Sequence, residues 1–372
     1  MANIQDVARH AGVSTSTVSN VLNGRTNQMR KDTLARIEAA MAELGYRPNR
    51  AAQQLKTGQT TLLGLLVPSI VNPSFATLAR AVDQAAQDGH GYRVLLGNTY
   101  RERDKEERFF DDLLSLGVRG VIVVSSEIEL EHFRAAIGRG LVMVTYDSAS
   151  RARPEAGGLG IKREAGGLGI KREAGGPGIK REAGGLGIDS VSMDNVEAGR
   201  MAARHLINRG CRRLAFVTEA GRTISRRDKI EGFLSAAAEA GVNARIIEGK
   251  AASGYGDTEM ADLGRALAAA VVGTEPRPDG VVAINDMAAI GLSAGFRSLG
   301  VRVPEDISLV GIDDMFLSAL MAPAITSVSP PIPAMAKLMV DRLIARLSDP
   351  AIPVEEVLFA PTLVERQSVR NG

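Results

Sequence analysis

Residues 3–23 read NIQDVARHAGVSTSTVSNVLN, and this stretch decides the N-terminal fold. Asn3 is expected to cap a helix, with Asp6 at the third helical position, that runs to about Ala11 before Gly12 breaks it. Ser14 then caps a second short helix over residues 15–22, stopped by Asn23-Gly24. Further on, Leu34, Ile37, Met41 and Leu44 recur at helical spacing, which predicts a third helix over residues 31–44 ended by Gly45. Two short helices joined by a tight turn and braced by a third make a helix-turn-helix head.

Charge sets this head apart. Residues 1–60 carry eight Lys/Arg against four acids in a chain whose net charge is only +2. A basic head on a slightly acidic body is the asymmetry expected when only the head meets phosphates.

From Thr61 the texture changes. Short apolar runs at residues 62–67, 94–96, 121–124, 141–145, 214–217, 281–284 and 308–312 read as strands. Between them, residues 75–88, 105–116, 198–208, 229–240, 287–299 and 334–347 read as amphipathic helices. Such alternation predicts parallel sheets covered on both faces, and its extent suffices for two subdomains. The pattern is interrupted where EAGGLGIKR at 155–163 recurs at 164–172 and, as EAGGPGIKR, at 173–181, with a partial fourth copy from Glu182. A glycine-rich unit with no aromatic anchor offers little apolar burial to offset the entropy of ordering. It reads either as a tandem duplication in a surface loop, mostly disordered, or as a functional flap.

The 372 residues are 45% hydrophobic and 24% charged, with one cysteine and four histidines. That mix suits a soluble protein of two or three compact units. No apolar run approaches the roughly 20 residues that span a bilayer, and the N-terminus lacks signal-peptide organisation. Cys211 cannot form an internal disulfide, which fits a cytoplasmic location, and His10, His90, His132 and His205 show no metal-ligand spacing. GLSAG at 291–295 matches the GxSxG string of hydrolases, but Ser293 falls inside an expected helix and no histidine follows it. Neither a dinucleotide fingerprint nor a phosphate-binding loop is present, so no enzyme and no cofactor are expected.

The opening stretch, followed by TLARIEAAMAELGYRPNRAAQQL at 33–55, closely resembles the lactose-repressor/galactose-repressor family of bacterial regulators. The resemblance continues through VPSIVNPSFATLARAVDQAAQDG (67–89), VSMDNVEAGRMAARHLINRG (191–210), KIEGFLSAAAEAG (229–241), AINDMAAIGLSAGFRSLGVRVPEDISLVGIDD (283–314) and APTLVERQSV (360–369). It implies a helix-turn-helix head at 1–47, a hinge helix and linker at 48–60, and a periplasmic-binding-protein-like core at 61–372. In that core, one doubly wound subdomain takes about 61–190 and 326–350, with the repeats inserted at 155–188. The other takes about 191–325 and 351–372.

On this resemblance Thr15, Ser16 and Asn20 read base edges in the major groove, with Thr17 and Ser19 placed for phosphates or bases. Asn3, Gln5, Ser14 and Asn23 complete the expected DNA-contacting set of the head. Asn20 stands where the family often has arginine, and asparagine favours adenine. In the hinge, Leu55 is the expected minor-groove wedge, flanked by contacts from Asn49, Arg50 and Ala52. A cleft between the subdomains would hold a small-molecule effector, a sugar or related metabolite, with Asn72, Phe75, Asp147, Lys229, Tyr255, Asn285 and Asp313 as candidate contacts. Lys229 replaces the arginine common there. The implied assembly is a homodimer on a near-palindromic double-stranded operator, repressing under effector control, with no membrane partner.

Overall fold

The computed structural model describes residues 2–22, 26–27, 29–46, 60–124, 130–147, 178–182 (backbone only), 188–220, 223–250 and 258–371. The chain divides into two compact units, Met1–Thr60 and Thr61–Gly372. Hinge residues 48–59, with Asn49, Arg50, Ala52 and Leu55, lie outside the described residues, as do Asn23 and Tyr255.

The first unit holds helices α1 (Ile4–Ala11), α2 (Thr15–Leu22) and α3 (Lys31–Glu43). Asn3 Oδ1 accepts from the backbone of Gln5 (2.8 Å) and Asp6 (3.1 Å), while Asp6 Oδ2 accepts from Asn3 N at 3.0 Å. This reciprocal capping box satisfies orphan donors at the helix start. Gly12 closes α1 at φ 63°, a left-handed turn that glycine adopts without strain. Ser14 Oγ caps α2 through Thr17 N at 3.1 Å. The apolar face spacing does the rest: Val7, Ala8, Ala11, Val18, Ile37 and Ala40 bury one small core.

In the second unit two sheets form. The first contains β1 (Leu62–Val67), β2 (Arg93–Asn98), β3 (Gly120–Val124), β4 (Val142–Tyr146), β5 (Gly178–Glu182), β6 (Asp189–Met193) and β12 (Glu355–Phe359), in the order β2-β1-β3-β4-β6-β12-β5. The second contains β7 (Arg213–Glu219), β8 (Asn243–Gly249), β9 (Gly280–Ala283), β10 (Ser308–Ile312), β11 (Thr326–Ser329) and β13 (Thr362–Val364), in the order β13-β11-β10-β9-β7-β8. Among the described residues, only β5 and β13 run antiparallel to their neighbours. The central strands are buried throughout, as in β3 and β10, because helices cover both faces. Those helices include α4 (Pro73–His90), α5 (Arg103–Ser115), α6 (Leu130–Gly138), α7 (Asn195–Asn208), α8 (Ile224–Glu239), α9 (Glu259–Val272), α10 (Asp286–Ser298), α11 (Phe316–Leu320) and α12 (Ile332–Ser348).

The chain changes sheets at other points than the sequence led us to expect. β6 still belongs to the first sheet, so the first crossing falls at Asp194 and not at 190/191. Thr326–Ser329 pairs with β10 in the second sheet, and Glu355–Phe359 pairs with β6 in the first, reversing both expected assignments. The return crossing follows Pro330-Pro331, which lack the N–H groups a strand needs and open α12 instead. A second correction concerns the repeats. Gly178–Glu182, which spans the third copy's GIKR and the first residue of the fourth, is an antiparallel edge strand against β12. Edge pairing needs backbone groups on one side only, so a segment poor in apolar residues can supply it.

Two helix pairs meet at backbone contact distance. A Cβ at Gly199 would lie 1.8 Å from the Lys229 carbonyl oxygen, and one at Gly232 would lie 1.8 Å from that of Val196. Gly264 and Gly291 join α9 to α10 in the same way, with distances of 2.2 Å to Ala288 O and 1.9 Å to Ala261 O. Only glycine permits these approaches.

Candidate nucleic-acid interface and ligand cleft

In the head, Gln5, Thr15, Ser16, Ser19 and Asn20 line one open groove together with Ile4. Thr15, Ser16 and Asn20 are exposed on the first turns of α2, the position from which a groove-reading helix reaches base edges. Asn3 and Ser14 are engaged locally as helix caps. The Thr17 hydroxyl is half-buried and bonded to Ser14 Oγ at 2.8 Å, so it stabilises the turn that carries its neighbours. Val18 packs into the small core and fixes the angle of α2, while His10 Nε2 meets Glu43 Oε2 at 2.7 Å to tie α1 to α3.

In the core, one cleft collects Asn72, Ser74, Phe75, Arg101, Tyr146, Asp147, Thr223, Ser225, Arg226, Lys229, Met260, Ile284, Asn285 and Asp313. The described candidates Asn72, Phe75, Asp147, Lys229, Asn285 and Asp313 are thus brought together from both sheets. Three of the lining residues are N-caps. Asn72 Oδ1 accepts from Ser74 N (3.0 Å), Thr223 Oγ1 from Arg226 N (3.3 Å) and Asn285 Oδ1 from Ala288 N (2.9 Å). The amino ends of α4, α8 and α10 therefore turn toward this cleft, bringing partial positive charge with them.

Backbone strain gathers here too. Among the described residues, the non-glycine residues with positive φ are Tyr100 and Arg101 (51° and 57°), Asp147 (58°), and Asp313 and Asp314 (114° and 50°). All stand just past the carboxyl ends of β2, β4 and β10, and Arg101, Asp147 and Asp313 line the cleft. Such conformations cost about 1–3 kcal/mol each and persist where surrounding structure holds them, often at ligand sites.

The charges are differently committed. Asp147 Oδ1 accepts from Ser192 Oγ (2.9 Å) and Asn195 Nδ2 (2.6 Å). Arg226 Nη2 pairs with Glu219 Oε2 at 2.9 Å. Burial lifts the Asp313 carboxyl to about 7, with Lys229 opposing and Asp286 and Asp147 reinforcing. Burial, and then the Asp147 and Asp313 carboxylates, hold the Tyr146 hydroxyl well above its ordinary range. Asp286, next to the cleft, serves the fold. Fully buried, it accepts from Ser318 Oγ (2.5 Å), Ser327 Oγ (2.6 Å) and Met315 N (2.8 Å), and burial raises it to about 6. A larger cavity of about 510 Å³ shares only Asp147 with the cleft, and its Arg200 and Arg204 are paired with Glu239.

Sequence reasoning missed several lining residues. Ser225 and Arg226 lie four and three positions before Lys229, a spacing that shares one helix face and was a usable signal. Tyr146 and Ile284 directly precede the expected Asp147 and Asn285. Arg101 gave no signal, since a left-handed turn past β2 aims it. Ser293 lies within α10 and is buried, away from any strand-to-helix elbow. Among the described residues, no cluster of three potential metal ligands occurs and no helix is long and apolar enough to cross a membrane.

Comparison with known proteins agrees with both units. The family described as bacterial regulatory proteins, lacI family, matches residues 3–49, and the periplasmic binding protein-like domain matches residues 203–369. The HTH-type transcriptional repressor PurR of Yersinia pestis (strain Pestoides F) is 30% identical over 387 residues, covering 100% of this chain and 98% of that protein. The PurR of Edwardsiella ictaluri (strain 93-146) is 28% identical over 381 residues, with the same coverage. Among solved structures, the Lac repressor bound to ONPG in the repressed state superposes with a TM-score of 0.76 at 24% identity, over 99% of each chain. The CelR–cellobiose complex gives 0.66 at 24%, over 99% of this chain and 100% of that one. Together, the capped helix-turn-helix, the two parallel sheets and the full-length likeness to curated repressors mean that this chain belongs to the lacI family of bacterial regulatory proteins.

Proposed function

We propose that this chain is a cytoplasmic transcriptional repressor, without enzymatic activity, that binds a near-palindromic operator as a homodimer and releases or grips it according to a small molecule held in the core cleft. The observation that carries the reading is the head's open groove, where exposed Thr15, Ser16 and Asn20 stand on a helix fixed by a packed core. Hydroxyl and amide side chains there match base-edge donors and acceptors, and Asn20 favours an adenine. Leu55 acts as the minor-groove wedge, with Asn49, Arg50 and Ala52 along the backbone.

Dimerisation suits the surface of the core. Ile70 and Val71 are 45% and 55% exposed, and Phe316 and Leu320 are 65% and 74% exposed. Large apolar groups at this exposure suit an isologous interface with a second copy. The Lac repressor has been captured as a dimer on its operator. In the cleft, acids, amides and the Phe75 ring suit a hydroxyl-rich ligand, the kind carried by the neighbours that hold cellobiose and ribose.

Selection of bound duplexes from a random pool by the full-length protein tests the function. Enrichment of one near-palindromic site is expected, whereas recovery of unenriched sequence at moderate salt would refute it.

A further inference from the structure

The cavity of about 510 Å³ that meets the effector cleft at Asp147 is acidic. Its described lining holds six carboxylates against three arginines. Two of those arginines, Arg200 and Arg204, are already paired with Glu239, which is not among the lining residues. Asn195, 6% exposed, lines the cavity as well. Its Nδ2 donates to Asp147 Oδ1 at 2.6 Å, while its Oδ1 has no hydrogen-bond partner among the described residues. A buried acceptor without a donor is costly, so this side chain calls for one.

We propose that this cavity is the seat of the chain's own repeats: the basic pairs of the first two copies, Lys162-Arg163 and Lys171-Arg172, dock on its carboxylates. Position and charge point to that occupant. The insertion leaves β4 at Asp147, which lines the cavity. It returns as β5, paired with β12, whose Glu356 and Leu358 line the cavity too. Residues 148–177 lie between these points, outside the described residues, and hold both copies whole. A segment tethered at both ends beside its seat binds at an effective concentration on the order of millimolar, so weak contacts suffice. Each full copy carries one Glu against one Lys and one Arg, a net positive charge for a lining with a net negative one. The ammonium, guanidinium and backbone N–H groups of such a unit supply the donor that Asn195 Oδ1 lacks. Through Asn195 the docked repeats steady Asp147, which the cavity shares with the cleft. That last consequence rests on the cleft being the effector site.

Trypsin, which cuts after Lys and Arg, reads the docking in the full chain. Glu231 is exposed on α8 and Glu197 lies in the first turn of α7, so both can be altered without opening the core. The double variant Glu197→Gln with Glu231→Lys should be cut at residues 162–163 and 171–172 at least about tenfold faster than the parent, because cleavage follows the undocked population. Other sites should keep their rates. NaCl at about 0.5 M should speed cleavage of the parent at the same two places, since it screens exposed charge pairs. In a second arm, residues 155–172 are deleted, which removes two copies and keeps the third with β5. The free peptide of residues 155–172 should bind that shortened chain in calorimetric titration. It should bind the full chain, whose own copies fill the cavity, at least about tenfold more weakly. Equal cleavage of parent and variant, acceleration spread over the whole chain, equal peptide binding by the two chains, or none by either would overturn the proposal. Spermidine bound equally by both chains would hand the cavity to a free polyamine and overturn it too. Neither arm needs an effector or an operator, so a failure of the regulator reading would leave both results standing.

Discussion

The two halves of the core share one plan and hold it by different means. Around the second sheet, helices touch backbone to backbone through Gly199, Gly232, Gly264 and Gly291, and the first of these pairs is also bridged by Arg200 and Arg204 on Glu239. In the first sheet, charge does that work. Asp189, 1% exposed, accepts from Arg342 Nη2 (2.7 Å), Arg346 Nε (2.7 Å) and Glu355 N (2.9 Å), and so clamps α12 and β12 to the start of β6. A second buried pair, His132 Nε2 with Glu106 Oε2 at 2.9 Å, joins α6 to α5. The half that interrupts its own sequence with repeats and takes β12 from the distant end of the chain is fastened by directional ion pairs. The half made largely from one continuous stretch adds glycine-mediated helix contacts to its own buried polar network at Asp286. Long-range assembly needs contacts that specify a partner, and hydrogen-bonded charges do so better than apolar surface.

The sharpest way to break this contrast is Asp189→Ala. It strands two largely buried guanidinium groups and should cost about 3–5 kcal/mol in urea unfolding; a loss under 1 kcal/mol would show that packing holds this half too. Gly199→Ala comes next, at about 1–3 kcal/mol, because its new methyl must displace the Lys229 backbone. Combining it with Gly232→Ala should cost less than the two separate losses added, since both open one contact. The Gly199 change should also weaken effector binding, because it moves the helix that carries Lys229.

The pH dependence should come from the second half. The folded-state values of Asp286 (about 6) and Asp313 (about 7) lie above the unfolded carboxylate range. The native state then binds more protons than the unfolded one between about pH 4 and 7, so these groups make stability fall as pH rises through that window. Asp313→Asn should flatten the portion nearest pH 7, measured as Tm against pH; an unchanged profile would place the titration elsewhere. The smallest expected effect compares the caps: Asn72→Ala and Asn285→Ala should each cost about 1 kcal/mol, similar in the two halves.

How far the sequence revealed all this depends on range. The head was legible because its caps and core act within a few residues: Asn3, Asp6, Gly12 and Ser14 do what their spacing predicted. The buried strands were legible as apolar runs, and Ser308–Ile312 falls where expected. Strand β5 was not, because GIKRE carries no apolar alternation and is held by its backbone partner. The sheet crossings at Asp194 and Pro330 were misplaced because residues 326–329 and 355–359 look alike until their neighbours are known. In the cleft, polar residues at strand ends announced Asp147, Asn285 and Asp313, whereas Arg101 depends on a backbone turn that no side-chain pattern encodes.

The most direct test of the account is a titration of the full-length protein against its selected operator and against a scrambled duplex at one fixed moderate salt concentration, with Asn20→Ala alongside. A preference of at least about a thousandfold is expected for the native head. It should fall by roughly 1–3 kcal/mol in Asn20→Ala, through loss on the operator alone. Equal affinity for the two duplexes, or an Asn20→Ala loss shared by both, would contradict the reading of this chain as a base-reading regulator.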